Sequence, residues 1–356
     1  MADVVVSQAD AAALGVDAVA DLFAFGIIPG DVVSDIVTSS FAALVEIVRD
    51  AYLAHADGVA HNPPSTFLRF ADRPRDRIIA LPADLGAGIG LAGIKWIASW
   101  PENVEYGLPR ASALLVLNRR ETGYPLCLME ASIISAARTA ASAVLGLRHL
   151  GEGRLPSRPK LGFVGCGVIA RNILDMIVAC GFEPATVCAY DLAPEDARRM
   201  LERAGPSAAP EPAGSVEEIV RGSDAIVFAT TAARPYVMEP HWFEHAPVVL
   251  NISLRDLAPE VILAADNVVD DVDHCLQADT SPHLAEQQSG HRRFITGTIA
   301  GAVRGELSFN AERPVVYSPF GMGILDLAVG RFVDGEARRS GRIIQIPNFF
   351  AEKTRW

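Results

Sequence analysis

Residues 160–171, Lys-Leu-Gly-Phe-Val-Gly-Cys-Gly-Val-Ile-Ala-Arg, constrain the fold more than any other part of this chain. A short apolar run over 161–164 enters a Gly-x-Gly-x-x-Ala turn made by Gly165, Gly167 and Ala170. A helical pattern follows over 172–180, then a strand-like run over 185–190 that ends on Asp191. An acid about 20 residues beyond the glycines completes a strand–turn–helix–strand unit, the fingerprint of a dinucleotide-binding turn. Gly165 permits the tight turn, Gly167 lets a pyrophosphate approach the backbone, and Ala170 lets helix and strand pack. The helix N-terminus offers unpaired N–H groups and the positive end of a dipole to the phosphates. Asp191 is suited to accept hydrogen bonds from adenosine ribose hydroxyls and to repel a 2′-phosphate. Leu192, Ala193 and Pro194 follow it, with no arginine, so the pattern selects NAD over NADP.

Half of the 356 residues are apolar, which supplies a core for two domains. The net charge of −12 and a pI near 5.1, with basic residues scattered rather than in a tract, exclude a nucleic-acid binder. The cysteines, Cys127, Cys166, Cys180, Cys188 and Cys275, show no paired spacing and read as buried reduced thiols. No run reaches the ~18 apolar residues of a membrane span, and the first residues lack a basic segment followed by an apolar one. A cytoplasmic protein without membrane contact is expected.

Residues 10–25 and 32–56 have helical periodicity, split by Pro29-Gly30. Short β-type runs follow at 67–70, 77–81, 90–99 and 111–118, and Glu121-Thr-Gly-Tyr reads as a hairpin turn into 125–130. Ser132 starts a helix to about 147, and 151–159 is a surface connection. Beyond Lys160, strands at 161–164, 186–190, 225–229, 247–251 and 267–269 alternate with helices at 169–180, 194–204 and 215–221. That alternation predicts a parallel sheet. A last helix is expected over 320–333. The fold class is α/β: a Rossmann NAD-binding domain over 145–310, and a mixed α+β domain, 1–144 with 311–356, to which the C-terminal helix returns.

A nucleotide domain needs a substrate partner, and the cations of the first domain are the candidates. Arg69 sits in Phe67-Leu-Arg-Phe, Lys95 in Gly93-Ile-Lys-Trp-Ile, and Arg138 among small residues in mid-helix; Arg110 is a further candidate. Burying Lys95 without a partner would be costly. Its neighbours allow the other reading equally, an alternating strand with Ile94 and Trp96 inward and Lys95 in solvent. Converging cations would suit a dicarboxylate, since guanidinium binds carboxylate bidentately. Asp256 follows a strand and reads as an acid/base, an anchor for a substrate ammonium, or the N-cap of a helix over 259–264. Thr230 and Thr231, at the end of the 225–229 strand, belong near the cofactor. Asp270-Asp-Val-Asp-His274 reads as a solvated acidic turn rather than a metal site, for it lacks His pairs at ligand spacing.

These motifs together resemble the ornithine cyclodeaminase/μ-crystallin superfamily over almost the whole chain. The carriers are Lys95, the Arg138-Thr139 pair, the Gly165–Ala170 turn, Asn251 with Asp256, and Ser318-Pro-Phe-Gly-Met-Gly-Ile-Leu-Asp326. The resemblance implies that Lys95, Arg138 and Arg69 bind the substrate carboxylate and that Asp256 acts on the substrate amine. It implies that Thr139, Gly165, Gly167, Val168, Ile169, Asp191, Thr230, Thr231, Ser253, Leu254 and Ser318 hold NAD, and that the first domain makes a homodimer. Within the superfamily the chain is most similar to the 2,3-diaminopropionate biosynthesis dehydrogenases of siderophore and peptide-antibiotic pathways. The pieces are Phe67-Leu-Arg-Phe, Gly107-Leu-Pro-Arg-Ala-Ser-Ala, Ser253-Leu-Arg-Asp-Leu, Thr280-Ser-Pro-His and Ile346-Pro-Asn-Phe-Phe. That likeness implies NAD-dependent oxidation of N-(2-amino-2-carboxyethyl)-L-glutamate to 2,3-diaminopropionate and 2-oxoglutarate, with Arg110 on the second carboxylate. Cyclodeaminases carry a glutamate where this chain has Ile78-Ile-Ala-Leu-Pro, which speaks against cyclisation. The other readings are an amino-acid or imine dehydrogenase and, in a different class, a non-catalytic μ-crystallin-like binder.

Overall fold

The computed structural model describes residues 22–353, Ser207 excepted. It divides into two compact units: one holds the residues up to Ser40, Leu53–Ser135 and those from Met322 onward, the other Phe41–Tyr52 and Ala136–Gly321.

The first unit is built on a seven-stranded sheet: β1 (Gly26–Ile28), β2 (Thr66–Phe70), β3 (Arg73–Asp84), β4 (Leu91–Ser99), β5 (Ala111–Arg119), β6 (Pro125–Glu130) and the short C-terminal strand Ile344–Gln345. Its order is C-terminal strand–β1–β6–β5–β4–β3–β2, antiparallel apart from the β1–β6 pair. Period-2 alternation divides each strand between two faces. One face carries Lys95, Leu115, Leu117, Cys127 and Met129, all buried. The C-terminal helix, Gly323–Arg339, packs on it, with Asp326 against Lys95 and Gly330 against Leu115. The other face leaves Leu68, Trp96 and Leu114 exposed by 45, 43 and 47%.

The second unit carries an eight-stranded parallel sheet: β7 (Lys160–Val164), β8 (Thr186–Tyr190), β9 (Ala209–Pro212), β10 (Ala225–Phe228), β11 (Val248–Asn251), β12 (Asp266–Val269), β13 (Ile295–Thr298) and β14 (Val315–Ser318). The order is β13–β12–β14–β11–β10–β7–β8–β9. β10, β11 and β14 are buried along their whole length, as a sheet covered on both faces requires. The chain runs from β7 outward to β8 and β9, then crosses back to β10 and β11. This reversal makes a topological switch point at the C-terminal ends of β7 and β10, the crevice where such sheets take ligands.

Some expectations are corrected. The pattern over 32–56 forms two helices, Gly30–Thr38 and Phe41–Ala56. Thr38 Oγ1 and Ser39 Oγ donate back to the carbonyls of Ser34 and Asp35 and compete with the helical ladder. The expected helix over 10–25 falls mostly outside the described residues. The expected strand at 77–81 extends to Arg73–Asp84, and the last helix runs to Arg339. β14 lies inside the second sheet, although the sequence pattern placed residues from 311 with the first domain. All five cysteines are free; four are buried and Cys180 is partly so. No helix among the described residues is long and apolar enough to cross a membrane.

Candidate active site

The glycine turn joins β7 to the helix Val168–Ala179. Gly165 has φ +83°, and a Cβ there would lie 2.8 Å from the Ala229 carbonyl oxygen, so only glycine keeps β7 and β10 this close. Open space surrounds the point where a Cβ on Gly167 would stand, and Gly167 supplies no side-chain cap to the helix it begins. The N–H groups of Val168 and Ile169 belong to that uncapped first turn, and Val168 is exposed. Asp191 is oriented by backbone donors on either side, Cys166 N to Oδ2 at 2.7 Å and Ala193 N to Oδ1 at 2.9 Å. Its remaining lone pairs are available to ribose hydroxyls. Nearby Arg198 and Arg199 are committed to Glu195, Glu202 and Asp196 on their own helix. These features fit a dinucleotide without a 2′-phosphate.

Asp256 is fully buried at the C-terminal ends of β10 and β11. Its carboxylate accepts hydroxyl hydrogens from Thr230 at 2.5 Å, from Tyr236 at 2.8 Å and from Ser253. It is not a helix cap: the helix Pro259–Leu263 is capped at Ala258, without a side-chain bond. Thr230 and Ser253, expected at the cofactor, thus hold Asp256. Thr231 is exposed. Leu254 has φ +70°, a conformation seldom adopted by a residue with a side chain, and marks a constrained turn at the strand end. Ser318 is buried, and its Oγ accepts from Asn251 Nδ2 at 3.0 Å. Burial and the Asp256 charge push the Tyr236 phenol well above its usual range, so it keeps its proton.

The acidic cluster at 270–274 is corrected in part. Asp273 is exposed, but Asp270 and His274 are buried. Asp270 accepts the backbone N–H groups of Phe320 at 3.0 Å and Gly321 at 2.7 Å, and Asp271 caps a short helix by accepting from His274 N. Burial raises the Asp270 carboxyl above its ordinary value, opposed by these N–H donors. Gly321, at φ +92°, lies directly against the guanidinium of Arg138, which is half-buried in the helix Ser132–Gly151 beside Thr139. Among the described residues, no group of three or more His, Cys, Asp or Glu side chains is placed to hold a metal ion.

In the first unit the solvent-facing alternative for Lys95 is overturned: Lys95 is 1% exposed and Trp96 is the outward residue. Lys95 Nζ donates to Asp326 Oδ2 at 2.6 Å and to Ser135 Oγ at 3.1 Å. Asp326, in the first turn of the C-terminal helix, has the position that the helix dipole favours for an acid. On the Lys95 face, four residues along β4, the register aligns Arg69, Arg77 and Ser99. Arg110 Nη1 donates to Ser99 Oγ at 3.1 Å, so a third arginine joins this row. Burial lowers the Arg110 pKa somewhat. Arg69 is exposed, its guanidinium 5.2 Å from the Phe67 ring. Sequence reasoning missed Arg77 and the role of Asp326. Arg77 opens the expected strand at 77–81, two residues before Ile79 on the same face, so the period-2 alternation already carried that signal.

A family model described as the ornithine cyclodeaminase/mu-crystallin family matches residues 31–341. The chain is 29% identical over 307 residues to an N-((2S)-2-amino-2-carboxyethyl)-L-glutamate dehydrogenase of Staphylococcus aureus, covering 83% of this chain and 90% of that protein. It is 30% identical to an alanine dehydrogenase of Archaeoglobus fulgidus, over 80% of this chain and 87% of the relative. A solved archaeal alanine dehydrogenase dimer with bound NAD superposes with a TM-score of 0.79 at 28% identity, over 92% of this chain and all of the other (100%).

Proposed function

The chain belongs to the ornithine cyclodeaminase/mu-crystallin family, and from that premise we propose that it is an NAD-dependent dehydrogenase that cleaves N-(2-amino-2-carboxyethyl)-L-glutamate to L-2,3-diaminopropionate and 2-oxoglutarate. The observation that supports the substrate is the row of Arg69, Arg77 and Arg110 on one face of the first sheet. It stands four residues, roughly 13 Å, along β4 from Lys95, whose ammonium is buried against Asp326. A secondary amine with carboxylates at both ends offers this row a distal acid group, which a compact amino acid such as alanine lacks.

NAD, when bound, accepts the hydride from the substrate carbon and supplies the redox chemistry. The chain's residues supply position. Arg138 is assigned to the carboxylate beside the reacting carbon, and the arginine row to the distal acid groups. The amine must be neutral when the hydride departs, because an iminium cation remains on the substrate. The Asp256 site takes that proton before the hydride departs. Water then adds to the iminium carbon, and collapse releases the two products. β3 contributes Ile79 and Leu81 to the Lys95 face and no acid, which disfavours cyclodeamination. The identity to an alanine dehydrogenase keeps simple amino-acid oxidation as the second reading. In the test, purified protein with NAD and the secondary amine yields NADH absorbance and one 2-oxoglutarate per NADH. Ammonia without NADH identifies a lyase; NADH from alanine alone identifies the second reading; saturable binding without any product identifies a binder.

The reading includes a cytoplasmic homodimer feeding diaminopropionate to siderophore or peptide-antibiotic assembly. The dimer is supported by the uncovered apolar face of the first sheet, where Ala80, Trp96 and Leu114 pair across three strands. Trp96→Glu would place a charge in the middle of that patch. It is expected to convert a dimer to a monomer in analytical ultracentrifugation, and a dimer that persists would move the interface elsewhere.

A further inference from the structure

The carboxylate assigned to the substrate amine has no exposed surface, and this changes which atom can meet the substrate. Asp256 is 0% exposed, while Tyr236 is 39% exposed. Backbone bonds fix the arrangement: Tyr236 N and Val237 N both donate to the Asp256 carbonyl at 3.0 Å, and Ala258 N donates to the Val237 carbonyl at 2.9 Å. A molecule arriving at the ends of β10 and β11 therefore meets hydroxyl groups before it meets the carboxylate. Of the three hydroxyls on Asp256, that of Thr230 also accepts the Ala232 N–H at 3.1 Å, which occupies one of its lone pairs. Ser253 is a short side chain in the turn held by the bond from Ser281 N to the Leu254 carbonyl at 2.6 Å. Tyr236 has the longest side chain of the three, is the exposed residue among them, and makes a direct 2.8 Å bond to Asp256 Oδ1.

We propose that Tyr236 is the group that touches the reacting nitrogen or the attacking water, and that Asp256 exchanges protons with the substrate through it. The proton leaves the substrate nitrogen, or the water, for Tyr236 Oη as the phenolic O–H bond breaks and its proton passes to Asp256 Oδ1. One N–H or O–H bond is broken at the substrate and one O–H bond is formed on Asp256; the phenol is regenerated. No electrons move in this step, for the hydride departs separately to NAD. The reverse path returns the proton to the leaving amine. The inference rests on the proposed amine oxidation and adds a residue to its proton path.

The test uses the full-length protein and the amine that gives NADH most efficiently with the wild type, drawn from the tricarboxylate amine, alanine, proline and ornithine. Failure of the tricarboxylate amine alone refutes the substrate assignment and leaves this test intact. Wild-type binding of NADH without turnover of any amine overturns both. Tyr236→Phe is expected to lower kcat about 100-fold, the usual scale of a lost proton-transfer group, with the NADH dissociation constant from fluorescence unchanged. The acid limb of the kcat/KM profile should move in the same variant. Because the two groups act as a unit, Tyr236→Phe/Asp256→Asn should be no slower than Asp256→Asn alone. A Tyr236→Phe enzyme within about threefold of wild type, or a double variant showing the product of the two single losses, overturns the proposal.

Discussion

Asp326→Ala is expected to cost the fold about 3–5 kcal/mol, the usual penalty for removing one partner of a buried ion pair. Lys95 and Asp326 are 1 and 0% exposed and meet at 2.6 Å. Desolvating each ion is repaid only while the other stands beside it, so truncation leaves the Lys95 ammonium in the core without its carboxylate. The pair also ties the first turn of the C-terminal helix to β4, and its loss loosens the packing of that helix on the sheet. Urea unfolding followed by tryptophan fluorescence measures the change. Lys95→Met/Asp326→Ala should be less destabilised than the sum of its single variants, because it removes both charges together. A midpoint for Asp326→Ala equal to that of the wild type would show that the pair contributes nothing to the fold.

Gly321→Ala is expected to raise the KM for the amine substrate about 100-fold, with NADH affinity retained. Two independent constraints act on this position. The backbone sits at φ +92°, where a Cβ costs roughly 1–2 kcal/mol. That Cβ would also lie 2.4 Å from Arg138 Nη1, well inside contact distance. Backbone relief is restricted, because Asp270 accepts the N–H groups of both Phe320 and Gly321 from a buried position. The guanidinium must therefore move, and a displaced fork loses its bidentate fit to a carboxylate. Steady-state kinetics alongside NADH fluorescence titration reads the split between KM and cofactor affinity. A KM matching that of the wild type would detach Arg138 from substrate binding. Lowered thermal stability accompanies either result, since the strain at residue 321 belongs to the fold alone.

Much of the second unit was legible because its signals are local. A glycine turn, the apolar run before it and Asp191 after it sit in one stretch of chain, and each is explained by its neighbours in sequence. The strands at 161–164 and 186–190 are found as β7 and β8 almost unchanged. The 270–274 cluster was misread for the opposite reason. Charge in sequence suggests solvent, but Asp270 is buried because two backbone N–H groups from fifty residues further along the chain satisfy it. β14 was overlooked since its four residues follow a turn-rich stretch and carry no periodicity of their own.

By itself, then, the sequence determined the glycine turn, the alternation of strands and helices, the acid that ends the second strand of that unit and the identity of the candidate cations. Each of these is encoded within a few residues of itself. Tertiary structure alone decided where the cations stand and what they pair with. Apolar residues flank Lys95 on both sides, so the pattern does not say which face it takes, and a one-residue slip of register would reverse the answer. Strand pairing turned Lys95 inward, aligned Arg69 with Arg77 and Ser99, and left Trp96 outside. Helix docking brought Asp326 to Lys95 across 231 residues, and the ends of β10 and β11 closed three hydroxyls over Asp256. Those contacts depend on the joint packing of distant segments, which no local pattern specifies.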